Sequence, residues 1–288
     1  MSVATSGMIG AGVAALVAGL WFVRGRFAAA SGVDKVLVLG PVFEAVSLAI
    51  FAAEHFLMAR DLAGVVPRWL PGALFWTYFF GVALLAAAVS FIVWRSVRWS
   101  ASLLAVFFLI LVATVDLPNL PASVHDRMFW ILTVRETCFA AGAMMLAGSV
   151  WVRGRSILMP LGRFIVACTF VFYAVQHFLH PRNVPGVPLE KMIPGWVPAP
   201  VVLACFVGAT LLVAGVGLMI PRARRIAAAG AGIVLVLLVV FFYVPILVME
   251  IHTSLAVEGI NYVGDTLLFA GTALLPGFGA DEASLSDC

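Results

Sequence analysis

The chain has 288 residues, of which 64% are hydrophobic and only 11% are charged, and its formal net charge is +3. This apolar content is more than a soluble domain needs to fill one core, which excludes a soluble globular protein. The basic clusters are too short to predict binding to nucleic acid. The lipid bilayer is therefore the predicted surrounding of this chain.

Apolar stretches recur along almost the whole chain. A hydrocarbon layer about 30 Å thick requires roughly 20 apolar residues in each helix that crosses it. By this measure the sequence predicts an all-α, polytopic transmembrane protein with about nine spans. In chain order, the predicted spans are residues 7–23, 36–57, 73–94, 100–117, 129–152, 158–178, 199–220, 227–248 and 258–276.

The positions of the basic residues predict the orientation. Eleven of the 17 Lys and Arg residues lie in or beside the connections between spans 1 and 2, 3 and 4, 5 and 6, and 7 and 8. The opposite connections hold five, and Arg135 lies within the fifth span. Because cytoplasmic connections carry an excess of Lys and Arg, we expect the N-terminus outside and the C-terminus in the cytoplasm.

The sequence contains an internal repeat. EHFLMARDLAG (residues 54–64) matches QHFLHPRNVPG (residues 176–186), and VVPRWLP (residues 65–71) matches MIPGWVP (residues 192–198). The second copy inserts residues 187–191, so the offset between the copies changes from 122 to 127. A later insertion of two residues changes the offset to 129. Such self-similarity is typical of a duplicated structural unit.

The repeat predicts the domain organisation. Each copy holds four spans, and an even number of spans returns the chain to its starting side, so the copies are expected to be parallel and related by an axis near the membrane normal. Each copy is expected to form a closed four-helix bundle, and the pair an eight-helix body. The predicted parts are an N-terminal helix with its connector (residues 1–35), the two four-helix units (residues 36–155 and 156–277) and an acidic tail (residues 278–288).

The repeated segment HF…P…(V/I)P.W(L/V)P follows the first helix of each unit and contains the histidine that ends this helix. It resembles the DoxX-like family of bacterial membrane proteins, which includes the DoxD-type subunits. The resemblance covers both units and implies a location in the bacterial cytoplasmic (inner) membrane. In some members it also implies a link to quinone-coupled sulfur oxidation or respiratory complexes, so other membrane or periplasmic redox subunits are expected as partners. The family usually has a single unit, whereas this chain has two.

The histidines form the first candidate site, because all five fall on the predicted outer side. Closure of each bundle would bring His55 close to His125, and His177 close to His252. Two imidazoles at one end of a bundle could ligate haem or copper, or one could take a proton from a quinol while a carboxylate orients it. Glu44 lies eleven residues before His55 and projects from nearly the same helical face. Alternatively, the histidines only cap helices or bind loop carbonyls, and no third metal ligand is evident.

Carboxylates within predicted spans form the second candidate site, because charges are costly in lipid. Arg135 is expected to pair with a carboxylate of another helix, such as Glu44 or Glu54, and such a pair can also be purely structural. The positions of these two carboxylates are occupied in the second unit by Val166 and Gln176. If one unit is active, the sequence therefore favours the first.

Two proline-flanked tryptophans, Trp69 and Trp196, occupy equivalent positions in the long outer loops. These loops are expected to lie flat at the head-group level, as anchors or as a lid over a lateral entrance for a quinone.

Three hypotheses about function follow. The favoured one is a membrane subunit of a quinone-dependent oxidoreductase, with a quinone as the expected cofactor and haem or copper as alternatives. A non-catalytic assembly or anchoring subunit is the second, and a small-solute or ion carrier is the third. No predicted span is clearly broken near its middle by Gly or Pro, which speaks against a carrier. The predicted catalytic residues are His55, His125, Glu44 and Glu54, and the predicted cofactor-binding residues are His177, His252, Trp69 and Trp196.

Overall fold

A computed structural model of the chain describes residues 1–187 and 189–278. Residues 279–288 lie outside the described part, and with them Asp281, Glu282 and Asp287 of the predicted acidic tail. Nine long helices lie within the described residues. They are α1 (Val3–Ala29), α2 (Asp34–Leu57), α3 (Ala73–Val93), α4 (Val97–Ser123), α5 (Arg127–Val150), α6 (Val152–Leu179), α7 (Pro200–Met219), α8 (Arg224–Glu250) and α9 (Ala256–Leu274).

The chain is an all-α polytopic membrane protein. The first eight of these helices are long and apolar enough to cross a membrane. The ninth contains Glu258 and Asp265 and is the least apolar candidate, but it packs in the middle of the body. Among the described residues the only β-type pairing is an isolated bridge between Asn183 and Met192.

The helices of the two units have equivalent bounds. Unit one is α2–α5, and unit two is α6–α9. The ends of α2 and α6, at Leu57 and Leu179, differ by the offset of 122 that relates the two copies at this point. The starts of α4 and α8, at Val97 and Arg224, differ by 127, as do their ends at residues 123 and 250. We call the end of the body at which α2 and α6 end the histidine end, and the opposite end, at which α4 and α8 begin, the basic end.

The two units interlock. In the described part of the chain, α5 packs against α6, and α9 packs against α2, whereas the first and fourth helices of a single unit pack much less closely with each other. The two units thus form the expected eight-helix body, in which α5 and α9 meet at its centre. The first and fourth helices of each unit pack against the other unit and do not close a separate four-helix bundle.

Small residues explain why the units interlock. A Cβ atom at Gly40 in α2 would lie 3.2 Å from the carbonyl oxygen of Gly271 in α9. At the equivalent position in α6, a Cβ atom at Gly162 would lie 2.7 Å from the carbonyl oxygen of Ala141 in α5. Helix backbones in membranes approach closely where such small residues face each other. Close packing at a small residue also holds α1 against α2, where Gly12 packs against Ile50.

Helices α4 and α8 each contain a π-helical turn just beyond their middle. The turns are Val112–Asp116 and Val239–Tyr243, and each is followed by a proline, Pro118 or Pro245. Proline has no N–H group and clashes with the carbonyl four residues earlier, and a wider turn accommodates this clash. The predicted fourth span ended before Pro118, whereas the helix continues through the proline to Ser123. Neither helix is broken at its turn, so the expectation that no span is clearly broken near its middle holds for α4 and α8.

Candidate functional site

The histidine end of unit one is more open than that of unit two. Residues 112–123, the second half of α4, include no buried residue. The equivalent residues of α8 bury Val239, Phe242, Tyr243 and Ile246. Helix α5 shows the same opening, because residues 132–137 are all only half-buried whereas residues 138–143 are all buried. We call this part of unit one, formed by residues 112–123 and 132–137, the open half.

The α6–α7 connection closes unit two. Its residues Val184, Val187 and Val197 are buried. The Tyr243 hydroxyl donates a hydrogen bond to the carbonyl oxygen of Pro185. Tyr243 occupies the last position of the π-helical turn in α8. This connection carries the inserted residues 187–191, which unit one lacks, and it therefore acts as a plug.

A lysine of the insertion fastens this plug to the helices. The Lys191 ammonium lies 2.9 Å from a carboxylate oxygen of Glu250 and 3.2 Å from one of Glu258. It also lies 5.2 Å from the centre of the Tyr262 ring, which stacks on Tyr243. The insertion thus connects the end of α8 to the start of α9.

The equivalent histidines His55 and His177 start from the same local geometry. In each, Nδ1 bonds the backbone carbonyl four residues earlier, at 2.8 Å for His55 and 2.6 Å for His177. Each also packs against a glycine of the next helix, since a Cβ atom at Gly81 would lie 3.0 Å from the Cβ of His55, and one at Gly208 2.9 Å from that of His177. Because Nδ1–H donates to a carbonyl, Nε2 is left as an acceptor.

The two histidines differ at Nε2. In unit two the Gly186 N–H donates to Nε2 of His177 at 2.9 Å, and the side chain is 1% exposed. Gly186 has φ +97°, a conformation that favours glycine, and this turn aims its N–H at the imidazole. In the described residues Nε2 of His55 has no hydrogen-bond partner, and His55 is half-buried. Only the unit-one histidine therefore keeps an available acceptor.

A charged cluster lies in the open half, where α4, α5 and α9 meet. One guanidinium nitrogen of Arg135 lies 2.6 Å from a carboxylate oxygen of Asp265, and another lies 3.8 Å from Glu136. Asp116, the last residue of the π-helical turn in α4, lies close enough to Arg135 and Glu136 for electrostatic coupling. Its oxygen Oδ2 is buried and has no hydrogen-bond partner among the described residues. We call Asp116, Arg135, Glu136 and Asp265 the charged cluster.

The prediction that Arg135 pairs with a carboxylate of another helix is confirmed, but the partners named for it were wrong. Arg135 pairs with Asp265 of unit two, and not with Glu44 or Glu54, because the helix beside the first half of α5 is α9 and not α2. Sequence comparison aligns Asp265 with Glu136, so the ion pair joins equivalent regions of the two units across the centre of the body.

Glu44 and Glu54 both face α9. Glu54 accepts a hydrogen bond of 2.8 Å from the Asn261 side chain. Glu44 is 1% exposed, accepts a hydrogen bond of 3.3 Å from the Thr272 hydroxyl, and its second oxygen Oε2 has no partner. A buried carboxylate with an unpaired oxygen is costly, so both residues belong to a polar seam between the two units.

His125 and His252 are exposed at the histidine end. Neither makes a hydrogen bond or salt bridge within the part of the chain that the structure describes. Across all the residues that the structure describes, there is no group of three or more His, Cys, Asp or Glu side chains that could hold a metal ion. The convergence of His55 with His125, and of His177 with His252, stays a prediction.

The two predicted tryptophans have different surroundings. Trp69 is 68% exposed. Trp196 lies with its ring centre 6.3 Å from that of Phe242 and lines an apolar groove of about 390 Å³ along α8. The other residues of this groove are Val240, Val244, Pro245, Val248 and Met249. Trp196 is thus part of a groove, and Trp69 is a surface residue.

Sequence reasoning missed a row of aromatic rings beside the open half. The ring centres of Phe80 in α3 and Phe107 in α4 lie 4.7 Å apart, and those of Phe107 and Phe108 lie 5.4 Å apart. Phe108 then contacts Phe139 of α5 at 5.7 Å. It also missed Asp116, although an acidic residue within the predicted fourth span was a signal that could have found it.

Comparison with known proteins gives one family. No curated protein and no solved structure matches this sequence. A family model described as "Domain of unknown function (DUF8561)" matches residues 45–129 and 166–259, together more than half of the chain. One matched segment falls in each unit, and their starts, at residues 45 and 166, lie within one residue of positions that the repeat pairs. The chain therefore belongs to the DUF8561 family.

Proposed function

We propose that this protein is a quinone-binding membrane subunit of a redox complex, as its resemblance to the DoxX-like family suggests. The quinone head group binds in the open half of unit one, and the charged cluster exchanges protons with it. The excess of basic residues at the opposite end supports an orientation in which this half faces the outer side of the bacterial cytoplasmic membrane.

The main support for this proposal is that the histidine ends of the two equivalent units differ. Unit two fills its histidine end with Tyr243 and the plug, and its histidine is fully hydrogen-bonded. Unit one leaves the same region open and places carboxylates there, one of them with a buried oxygen that has no partner. Ionisable groups inside a membrane are functional by default, and π-helical turns such as the one that carries Asp116 are frequent at functional sites.

The chemistry of the open half suits a quinone. A quinone head group is a flat ring with two carbonyl oxygens, and Arg135 can donate hydrogen bonds to such an oxygen. Aromatic rings prefer offset or edge-to-face neighbours, which the row from Phe80 to Phe139 supplies. A quinol donates its hydroxyl protons, and the carboxylates of Asp116 and Glu136 can accept them.

The redox step needs a partner subunit. Oxidation of one quinol to a quinone releases two protons and two electrons. In this proposal the carboxylates accept the protons, and a haem or iron–sulfur subunit of the complex accepts the electrons. The present chain binds the quinol and moves its protons.

Quinol binding by the purified chain tests this proposal. Quenching of tryptophan fluorescence by a short-tailed ubiquinone analogue is measured anaerobically, once with the quinol and once with the quinone. Because hydrogen bonds that involve a charged group contribute about 1.5–3 kcal/mol, the variant D116N/E136Q should bind the quinol at least about tenfold more weakly. Its affinity for the quinone should change less, since a quinone has no proton to donate.

The matched control is D126N/E258Q, which alters two exposed carboxylates at the same end. Its affinity for the quinol should equal that of the unaltered chain. Absence of binding by the unaltered chain, or equal affinities in both double variants, would exclude the quinone site. A chain that binds no quinone and co-purifies with redox subunits would instead be an anchoring subunit.

A proton-coupled carrier is the second candidate. It is favoured by the π-helical turns at equivalent positions of α4 and α8, because parallel repeats with perturbed helices near the membrane centre are typical of carriers. Proteoliposomes that contain the chain would show this activity as a proton flux in response to an added solute. The variant D116N/E136Q would abolish the flux, whereas the quinone proposal expects no flux in either protein.

A further inference from the structure

Glu44 of α2 is a buried carboxyl group that the proposed quinone site does not use. The residue is 1% exposed. Its Oε1 accepts a hydrogen bond of 3.3 Å from the Thr272 hydroxyl of α9, and its Oε2 is buried and has no hydrogen-bond partner among the described residues. An ionised carboxylate at this position would be removed from water on all sides, which is very costly inside a membrane.

No cation compensates a negative charge on Glu44. Among the described residues Glu44 makes no ion pair. Of the helices that pack against α2, α3 contains no charged residue and α1 contains none before Arg24. On α9, Asp265 is paired with Arg135. The titratable group that faces Glu44 from α5 is the thiol of Cys138, which lies close enough for electrostatic coupling. A protonated, neutral Glu44 needs no cation beside it.

Two equivalent glycines enclose the carboxyl group. A Cβ atom at Gly142 in α5 would lie 2.9 Å from Oε1 of Glu44, and one at Gly271 in α9 would lie 2.8 Å from its Cγ. The repeat pairs these two glycines with each other. The carboxyl group therefore lies between equivalent positions of the two units, where α2, α5 and α9 meet.

The repeat shows that packing alone does not require a carboxyl group here. It aligns Glu44 with Val166 and Thr272 with Ala143. Val166 is 0% exposed and Ala143 is 1% exposed, so apolar side chains fill the equivalent buried positions. Replacement of buried polar groups by apolar groups of similar volume is often neutral or stabilising. The carboxyl group of Glu44 is therefore not explained by the stability of the fold.

Polar groups of α5 and α6 lie between Glu44 and the charged cluster. On α5, Cys138 lies about one helical turn from Arg135 and about one turn from Gly142. Its thiol is close enough for electrostatic coupling to Glu44 and to Tyr173 of α6, and Tyr173 is coupled in the same way to Arg135. Thiol and phenol groups both donate and accept hydrogen bonds, so they can pass a proton on.

The direction towards the basic end is apolar. Leu37 of α2 and Leu274 of α9 lie on that side of Glu44, and they are 2% and 0% exposed. Neither side chain has a group that can hold a proton. Protons therefore have polar groups to follow from the charged cluster and none to follow along these two helices from the basic end.

We propose that Glu44 is a proton-binding site within the membrane, protonated at rest, which exchanges its proton with the charged cluster. In each exchange one O–H bond breaks and one forms, between Glu44 and a carboxylate of the cluster, by way of Cys138 and Tyr173 or one bridging water. No electron moves, so no oxidant is required. The site does not require a quinone, so its test is independent of the test of the proposed function.

Infrared spectroscopy of the full chain, in a detergent without ester groups, detects this proton. The carbonyl stretching band of a protonated carboxylic acid is separate from the bands of carboxylates and amides. At neutral pH such a band should be present in the unaltered chain and reduced in E44Q. In T272V the Glu44 component should move to higher frequency, because its carbonyl oxygen loses a hydrogen bond.

Exchange in D2O tests the connection to the charged cluster. The Glu44 component should move to lower frequency as deuterium replaces the proton. In C138A this exchange should be about tenfold slower, the factor that corresponds to the loss of one hydrogen bond. An unchanged exchange rate in C138A would overturn the connection through α5 and α6.

Two further variants serve as controls. D61N alters an exposed carboxylate and should leave the band unchanged. E44V/T272A introduces the residues of the equivalent positions, so it should keep the helix content of the unaltered chain by circular dichroism and lack the Glu44 component. Failure of this variant to fold would assign Glu44 to the structure and overturn the proposal. So would identical spectra of the unaltered chain and E44Q, or no shift in T272V.

Discussion

The Arg135–Asp265 ion pair tests how the two units are joined. Its atoms lie 2.6 Å apart, and the two side chains are 19% and 15% exposed. Removal of one partner of a buried pair costs about 3–5 kcal/mol, because the other charge loses its compensation. Since part of each side chain stays exposed, we expect the lower end of this range, a loss of about 3 kcal/mol in the free energy of unfolding for R135Q.

The variant D265N should lose less free energy of unfolding than R135Q. In D265N, Arg135 keeps Glu136 at 3.8 Å as a partner. In R135Q, by contrast, Asp116, Glu136 and Asp265 remain together without their cation. The double variant R135Q/D265N removes both charges of the pair, so its loss should be smaller than the sum of the single losses by about 1–3 kcal/mol.

Unfolding in mixed detergent micelles with increasing dodecyl sulfate, followed by tryptophan fluorescence, measures these free energies. E258Q is the control, because Glu258 is 45% exposed in its pair with Lys191 and exposed pairs contribute at most about 1 kcal/mol. Strictly additive losses in R135Q and D265N, within about 0.5 kcal/mol, would refute the reasoning that the pair joins the units.

Two further predictions follow from the packing and from the charge distribution. In G142A the new Cβ would lie 2.6 Å from the Thr272 hydroxyl oxygen, so the free energy of unfolding should fall by about 1–3 kcal/mol. The matched change G10A, which meets nothing within 4 Å, should not destabilise the chain in the same unfolding assay. For the orientation, an impermeant thiol reagent added to intact cells should label R60C and spare R98C, and the reverse pattern would place the histidine end in the cytoplasm.

The helices could be predicted from the sequence because span length depends on the thickness of the bilayer. The predicted span 199–220 compares with Pro200–Met219 in the structure, and span 73–94 compares with Ala73–Val93. The predicted fourth span, residues 100–117, ended too early, because the helix in the structure continues to Ser123. Helix α4 passes Pro118 because a π-helical turn absorbs the proline, and hydropathy alone does not report such a turn.

The neighbours of each helix could not be predicted in the same way. Each transmembrane helix carries apolar side chains on all of its faces. The periodicity of apolar residues therefore does not indicate which helix lies beside α5. The pairing of Arg135 depends on this neighbour, and the expected partners Glu44 and Glu54 were therefore wrong. The insertion of residues 187–191 was visible as a difference in length, but its role as a plug depends on the burial of Val184 and Val187, which sequence comparison does not give.

The interlocked fold explains how the two units can differ so much. Contact between the units depends on small residues such as Gly40 and Gly162, which are equivalent and which both units keep. The units are also joined by the Arg135–Asp265 ion pair and the Glu54–Asn261 hydrogen bond. Neither contact involves the α6–α7 connection, so one copy can be filled while the other stays open. Filling unit two gives hydrogen-bond partners to His177 and Tyr243. Asp265 of unit two in turn pairs with Arg135 of unit one, so the closed unit supports the charged cluster in the open one.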